Sequence, residues 1–288
     1  MSPKRRKPFK TALKLLLTAA ALWWVFAKVP LHAVAALLAQ IAWPWLLAGV
    51  LFFNLSKILS SVRLNRYFHT AGVTLGEWHA VILYYIGMFY NLFLPGGIGG
   101  DGYKIYLVQK HRGSSTRMLL FATLLDRLSG LVPLVILGAL FFLISDFRIL
   151  VPGLDWMAAL AAVASIPLLF LIQKRFFRAF VPIFRQTLLY GFGVQLLQVV
   201  SAYALLRALH VETQMTEMLF LFLLSSIVAV LPFTVGGVGA RELVFLYGMR
   251  FTQSDPATGV AFAMLFFLVT ALSSLIGLFL ENPLARGE

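Results

Sequence analysis

LPGGIGGDG, residues 94–102, sets one proline and five glycines inside a strongly apolar stretch. A membrane helix should not break here without a reason, because an unpaired peptide group in lipid costs several kcal/mol. The same pattern, L-P-x-x-[IV]-G-G-x-G, returns as LPFTVGGVG at residues 231–239, 137 positions further on. Two such breaks in corresponding places make the breaks part of the architecture.

The surrounding composition settles the solvent. Of 288 residues, 60% are apolar and only 12% charged, far from the balance of a soluble domain. The chain therefore reads as an all-α polytopic membrane protein. The net charge of +13 lies in short clusters between apolar runs, the pattern of cytoplasmic loops facing anionic lipid, so no nucleic-acid partner is expected. There is no cysteine, and His32, His69, His79, His111 and His210 are scattered, so neither a metal site nor a cofactor is expected. The basic, then apolar, start resembles a signal peptide, but it ends in Trp23, Trp24 and Lys28, an interface anchor, and is read as a retained helix. The loops are too short to hold a soluble domain.

Spans of about 20 apolar residues are expected at roughly 9–28, 43–62, 118–144, 155–173, 186–208 and 258–280. The broken regions run over 78–110 and 215–250. Their second arms reach only about 14 to 18 Å, half the hydrocarbon thickness. Each is then a re-entrant hairpin, or a span followed by an interfacial helix. Loop charge favours re-entry: it places residues 110–117 and 173–186, with seven Lys and Arg, inside, and leaves only Arg148 in the loops 145–155 and 210–214 outside. The predicted fold is thus two inverted repeats, 1–150 and 151–288, each of three transmembrane helices plus one re-entrant helical hairpin with a Gly-rich break. Both termini are expected on the cytoplasmic side of a bacterial-type inner membrane. Such repeats place their site at mid-membrane, where broken helices meet.

Helix N-termini at the two tips suit an anion, phosphate above all, and glycine permits close approach; tight helix packing is the competing explanation. Asp101 and Lys104 follow the first break, and Arg241 and Glu242 the second. The acids fit a first helical turn equally well, but a cation there needs a negative partner. Asp126 and Arg127 fall at the bilayer middle of the 118–144 span, about 100° apart, so each needs its own partner; Arg241 is the expected partner of Asp126, and a structural pair stays open. Asn54, Lys57 and Ser61 form one polar stripe, Gln195 and Gln198 another. These rank as secondary, with Lys57 expected to snorkel and Arg63 and Arg66 to anchor a helix end.

The sequence resembles the membrane domain of lysylphosphatidylglycerol synthase/flippase proteins, including standalone flippase-like members. Asn91 with LPGGIGGD and Lys104, Asp126-Arg127 followed by Gly130, LPFTVGGVGARE and Arg63 carry the resemblance, over nearly the whole chain. It departs from the family in Lys104, Asp126 and Phe233-Thr234, and it lacks the soluble aminoacyl-transferase domain, so lipid aminoacylation is not expected. The resemblance implies a non-enzymatic translocase of a lipid with a phosphate-containing or modified headgroup. The binding set would be Asn91, Gly96, Gly97, Gly99, Gly100, Asp101, Lys104, Asp126, Arg127, Thr234, Gly236, Gly237, Arg241 and Glu242. A polyprenyl-phosphate carrier and a lipid-modifying membrane enzyme are the alternatives, and a lipid-synthesis enzyme is a candidate partner.

Overall fold

The computed structural model describes residues 40–93, 99–230, 240–253 and 256–284. The expected first span, 9–28, and the tip residues Gly96, Gly97, Thr234, Gly236 and Gly237 lie outside the described residues. Within them the fold is all-helical, without strands: α1 (Trp43–Thr70), α2 (Glu77–Phe93), α3 (Gly99–Arg112), α4 (Thr116–Ile144), α5 (Asp155–Phe176), α6 (Phe184–Ala208), α7 (Met215–Val230), α8 (Ala240–Phe251) and α9 (Pro256–Phe279). Five helices are long and apolar enough to cross a membrane: α1, α4, α5, α6 with the 3-10 segment preceding it, and α9. They fall at the five expected spans that lie within the described residues. α2, α3, α7 and α8 are the four short arms flanking the two breaks.

The main difference is the length of α1. Arg63 and Arg66 suggested an end near residue 62, yet the helix continues to Thr70 because Leu64, Tyr67 and Phe68 are fully buried and extend its apolar face. It stops at Gly72, which takes a left-handed φ of 85° while the Val73 N–H returns to the Phe68 carbonyl at 2.9 Å. At 28 residues α1 is about 42 Å long.

Contacts at the two ends of the bundle define its topology. At one end, Arg66 near the end of α1 bonds Glu77 at the start of α2 (2.7 Å), and Val108 of α3 shares a core with Phe68 and with Leu119 of α4. So α2 begins and α3 finishes at this end. At the other end, the Ala42 N–H donates to the Ala208 carbonyl (3.0 Å), the Asp146 N–H donates to Glu217 of α7 (3.1 Å), and the Phe147 ring stacks on Phe251 of α8. There α7 begins and α8 finishes.

The helix contacts also pair the two halves. α1 runs along α6, α2 packs on α9, α4 packs on α7, and each short arm packs on its partner, α2 on α3 and α7 on α8. Exchanging α1 with α6, α2 with α7, α3 with α8 and α4 with α9 maps this set of contacts onto itself. α9 is the central span, with 61% of its apolar window buried, and α5 is peripheral, with 6%.

Two apolar cores lie end to end. One joins Phe53, Leu134, Phe222, Phe245 and Phe266; the other joins Leu64, Phe68, Leu83, Val108 and Leu125. Along α1 the stretch between them carries Asn54, Ser56, Lys57, Ser60, Ser61 and Arg63; along α4 it carries Asp126, Arg127 and Ser129. A polar layer therefore crosses the bundle at mid-depth.

Glycines set the closest helix approaches. A Cβ at Gly100 would collide with the Gly87 carbonyl between α3 and α2, and one at Gly277 with the Tyr85 carbonyl between α9 and α2. Gly277→Ala is expected to lower stability by about 1–3 kcal/mol through overpacking against backbone. Gly102→Ala, where a Cβ meets nothing, should be neutral or stabilising by up to about 1 kcal/mol. Thermal unfolding in detergent separates the two.

Candidate functional site

The polar layer is built from α1 outward. Lys57 lies at the middle of α1, about 20 Å from either end, so it has no short route to an interface. The expectation of a snorkelling lysine is corrected by the eight additional residues of the helix. Its ammonium instead lies 4.5 Å from the centroid of the Phe53 ring. Ser56, Ser60 and Ser61 bond carbonyls of their own helix, and Asn54 accepts from the Tyr85 hydroxyl (2.7 Å) and donates to Ser273 (3.1 Å), tying α1 to α2 and α9. Those four residues are structural in this arrangement.

Arg63 is a second correction. It is 5% exposed, and its Nε donates to Asp126 at 2.7 Å. Arg63, and not Arg241, is thus the partner of Asp126. Two glycines create its slot: a Cβ at Gly130 would stand 3.0 Å from Arg63 Nη1, and one at Gly191 would stand 3.4 Å from the same atom. Pro133 leaves the Ser129 carbonyl without its usual helical donor, and Gly191 lies against that carbonyl as well. The Gln195 amide donates to the Gly130 carbonyl at 3.3 Å, holding α6 to α4. Gln198 is half-buried on α6.

At the first break, Asp101 sits in the first turn of α3 and accepts from Lys104 Nζ at 2.7 Å and from Arg127 Nε at 2.6 Å. The Lys104 stem fills a notch that any Cβ on Gly87 would close, and its ammonium faces the Tyr84 ring at 4.8 Å. Asn91 Oδ1 accepts the Gly100 N–H at 2.8 Å, closing α3 onto α2, beside Gly99. These contacts give the start of α3 partners from within the protein. A carboxylate of the protein occupies the first turn, Asn91 takes the Gly100 donor, and Lys104 and Arg127 are committed to Asp101. As the 100° offset requires, Asp126 and Arg127 pair with different partners.

At the second break the balance differs. Arg241, in the first turn of α8, lies against the rings of Phe222 and Phe266, 5.6 and 4.7 Å from their centroids, with Glu242 within electrostatic reach. Desolvated cation–π contacts of this kind contribute up to about 2 kcal/mol each. Its Nη1 is buried without a hydrogen-bond partner, as is Nη1 of Arg63. Lys57 lies within electrostatic reach of both arginines. Phe266 also packs edge-on to Phe53, so one aromatic cluster holds both Lys57 and Arg241.

Five cations, Lys57, Arg63, Lys104, Arg127 and Arg241, thus meet three carboxylates, Asp101, Asp126 and Glu242. The layer carries an excess of two positive charges. Among the described residues no three His, Asp or Glu side chains are grouped to hold a metal. A separate groove of about 930 Å³ runs between α4, α5, α7 and α8, lined by Gly138, Phe142, Met157, Phe220, Leu243 and Tyr247 among others. No charged side chain lines it, so it suits hydrocarbon and not a headgroup.

A family model described as "Lysylphosphatidylglycerol synthase TM region" matches residues 11–277. The chain belongs to this family. A UPF0104 membrane protein of Pyrococcus horikoshii is 27% identical over 101 residues, 34% of this chain and 30% of that protein. The chain thus aligns with less than a third of that relative's length. Family membership and the apolar spans make this an integral membrane protein whose family is associated with phospholipid.

Sequence reasoning missed the aromatic residues Phe53, Phe222 and Phe266 and the notch glycines Gly87 and Gly191. Their signal was weak, since each is one apolar or small residue within an apolar helix. The Arg63–Asp126 pair provides a direct test of the layer. Arg63→Met leaves Asp126 buried and uncompensated and should cost about 3–5 kcal/mol. The double variant Arg63→Met/Asp126→Leu should recover most of that loss, measured by a double-mutant unfolding cycle.

Proposed function

We propose that this family member moves a lipid with a phosphate-containing headgroup between the leaflets of a bacterial-type cytoplasmic membrane. The observation that supports it is the excess of cations in the polar layer, with Nη1 of Arg63 and of Arg241 buried and unbonded. A protein needs no such layer to hold helices together. Each uncompensated charge at the bilayer centre costs at least about 2.5–3.5 kcal/mol, which an anionic ligand would offset.

In this reading Lys57, Arg63 and Arg241 engage the headgroup. Asp126 orients Arg63, and Asp101 holds Lys104 and Arg127 beside it in a cluster of net charge +1. The lipid tails remain in the bilayer, alongside the apolar groove. The chain divides into two repeats, 1–150 and 151–288, of opposite orientation, with re-entrant hairpins at α2–α3 and α7–α8. Support comes from the reciprocal helix contacts, from the opening of the two hairpins at opposite ends of the bundle, and from the loop charges. Both termini are then cytoplasmic. The activity is transport and not catalysis.

Arg241→Ala is expected to abolish transbilayer movement of the correct lipid in proteoliposomes while the variant folds; wild-type rates from a folded variant would refute the assignment. Lipid analysis of a deletion strain separates the classes, since loss of transport misplaces a lipid species whereas loss of synthesis removes it. Because the chain has no cysteine, single cysteines at Ser114 and Gln253 report topology. Ser114→Cys should label from the cytoplasmic side and Gln253→Cys from the outside; labelling of both from one side would sink the inverted arrangement.

A further inference from the structure

We infer that the headgroup selected by this layer is a lipid phosphomonoester, and not a phosphodiester or an amine-bearing headgroup. The inference rests on the lipid-site reading above and narrows it.

Charge is the first ground. The layer has two uncompensated positive charges, and a phosphomonoester carries about −1.5 to −2 at neutral pH, where a diester carries a single negative charge. A monoester therefore neutralises the layer and a diester leaves it cationic. The second ground is the state of the carboxylates. A headgroup ammonium needs an acidic partner, and Asp101 is bonded to Lys104 and Arg127, Asp126 to Arg63, while Glu242 lies within electrostatic reach of Arg241. An added cation would meet a surplus of cations.

The third ground is the donor set. Arg63 Nη1 and Arg241 Nη1 are buried without acceptors, and Lys57 lies within electrostatic reach of both, held by a ring face and, among the described residues, by no carboxylate. Lys57, Arg63 and Arg241 offer three donors, the number of terminal oxygens on a monoester; a diester presents two. Without an anion these three cations repel one another in a low-dielectric site, and that repulsion is relieved on binding. Phosphatidate and a polyprenyl monophosphate share this headgroup and differ only in their tails.

The test is binding of the full chain in detergent, read by thermal shift and titration. The probes are dioleoyl phosphatidate, undecaprenyl phosphate, dioleoyl phosphatidylglycerol and lysyl-phosphatidylglycerol. At least one monoester should bind about tenfold or more tighter than either diester, and whichever monoester binds tighter identifies the tail. The preference should shrink at pH 5, because a monoester loses its second charge below about pH 6 and a diester does not change. Lys57→Met should bring the monoester and diester affinities together, with Arg241→Gln as the second variant should the first fail to fold. Equal binding of a diester, a preference that survives a folded Lys57→Met or Arg241→Gln variant, or no binding by any of the four would overturn the inference. Binding is read without transport, so a chain that binds monoesters and moves no lipid retains this inference and loses the translocase reading.

Discussion

A charge in hydrocarbon must be compensated by the protein, and this requirement organises the molecule. Asp126 in the middle of α4 requires a cation, and only a helix passing the same depth can supply it. Arg63 does so from α1, and Gly130 and Gly191 lack side chains where its guanidinium lies. The apolar residues of α1 and α4 are thereby divided into two cores, one on each side of the polar layer. The ion pair and the glycine notch are one solution to one desolvation problem.

The two breaks repeat in sequence and in their position in the bundle, yet they differ in charge. The first carries its own anion: Asp101 stands at the start of α3 and draws in Lys104 and Arg127, while Asn91 seals the Gly100 donor. The second begins with a cation, Arg241, supported by the faces of Phe222 and Phe266. An aromatic face stabilises a cation without neutralising it, so the second tip remains attractive to an anion. The start of α3 thus carries its own anion, and the start of α8 carries a cation against aromatic faces.

Apolar surface and charge are also separated in space. The groove among α4, α5, α7 and α8 has no charged lining, whereas the polar layer is buried among α1, α3, α4 and α8. α8 joins them, with Arg241 at its start and Leu243 and Tyr247 along the groove. An amphiphile has the same separation of parts.

The sequence alone determined the solvent, the spans and the breaks. Those depend on composition and on runs of about 20 apolar residues, which are local properties. It also showed that Asp126 and Arg127 could not neutralise each other, because their angular offset is a property of any helix. Tertiary structure decided the partners. Arg63 was legible only as a basic residue near a helix end, and its burial against Asp126 depends on where α4 packs. Lys57 could be placed at mid-depth only once Tyr67 and Phe68 were seen to extend α1 into a second core. The commitment of Lys104 to Asp101 and the exposure of Arg241 to aromatic faces depend on distances between helices far apart in sequence. Pairing energies arise from those distances, and a linear pattern does not contain them.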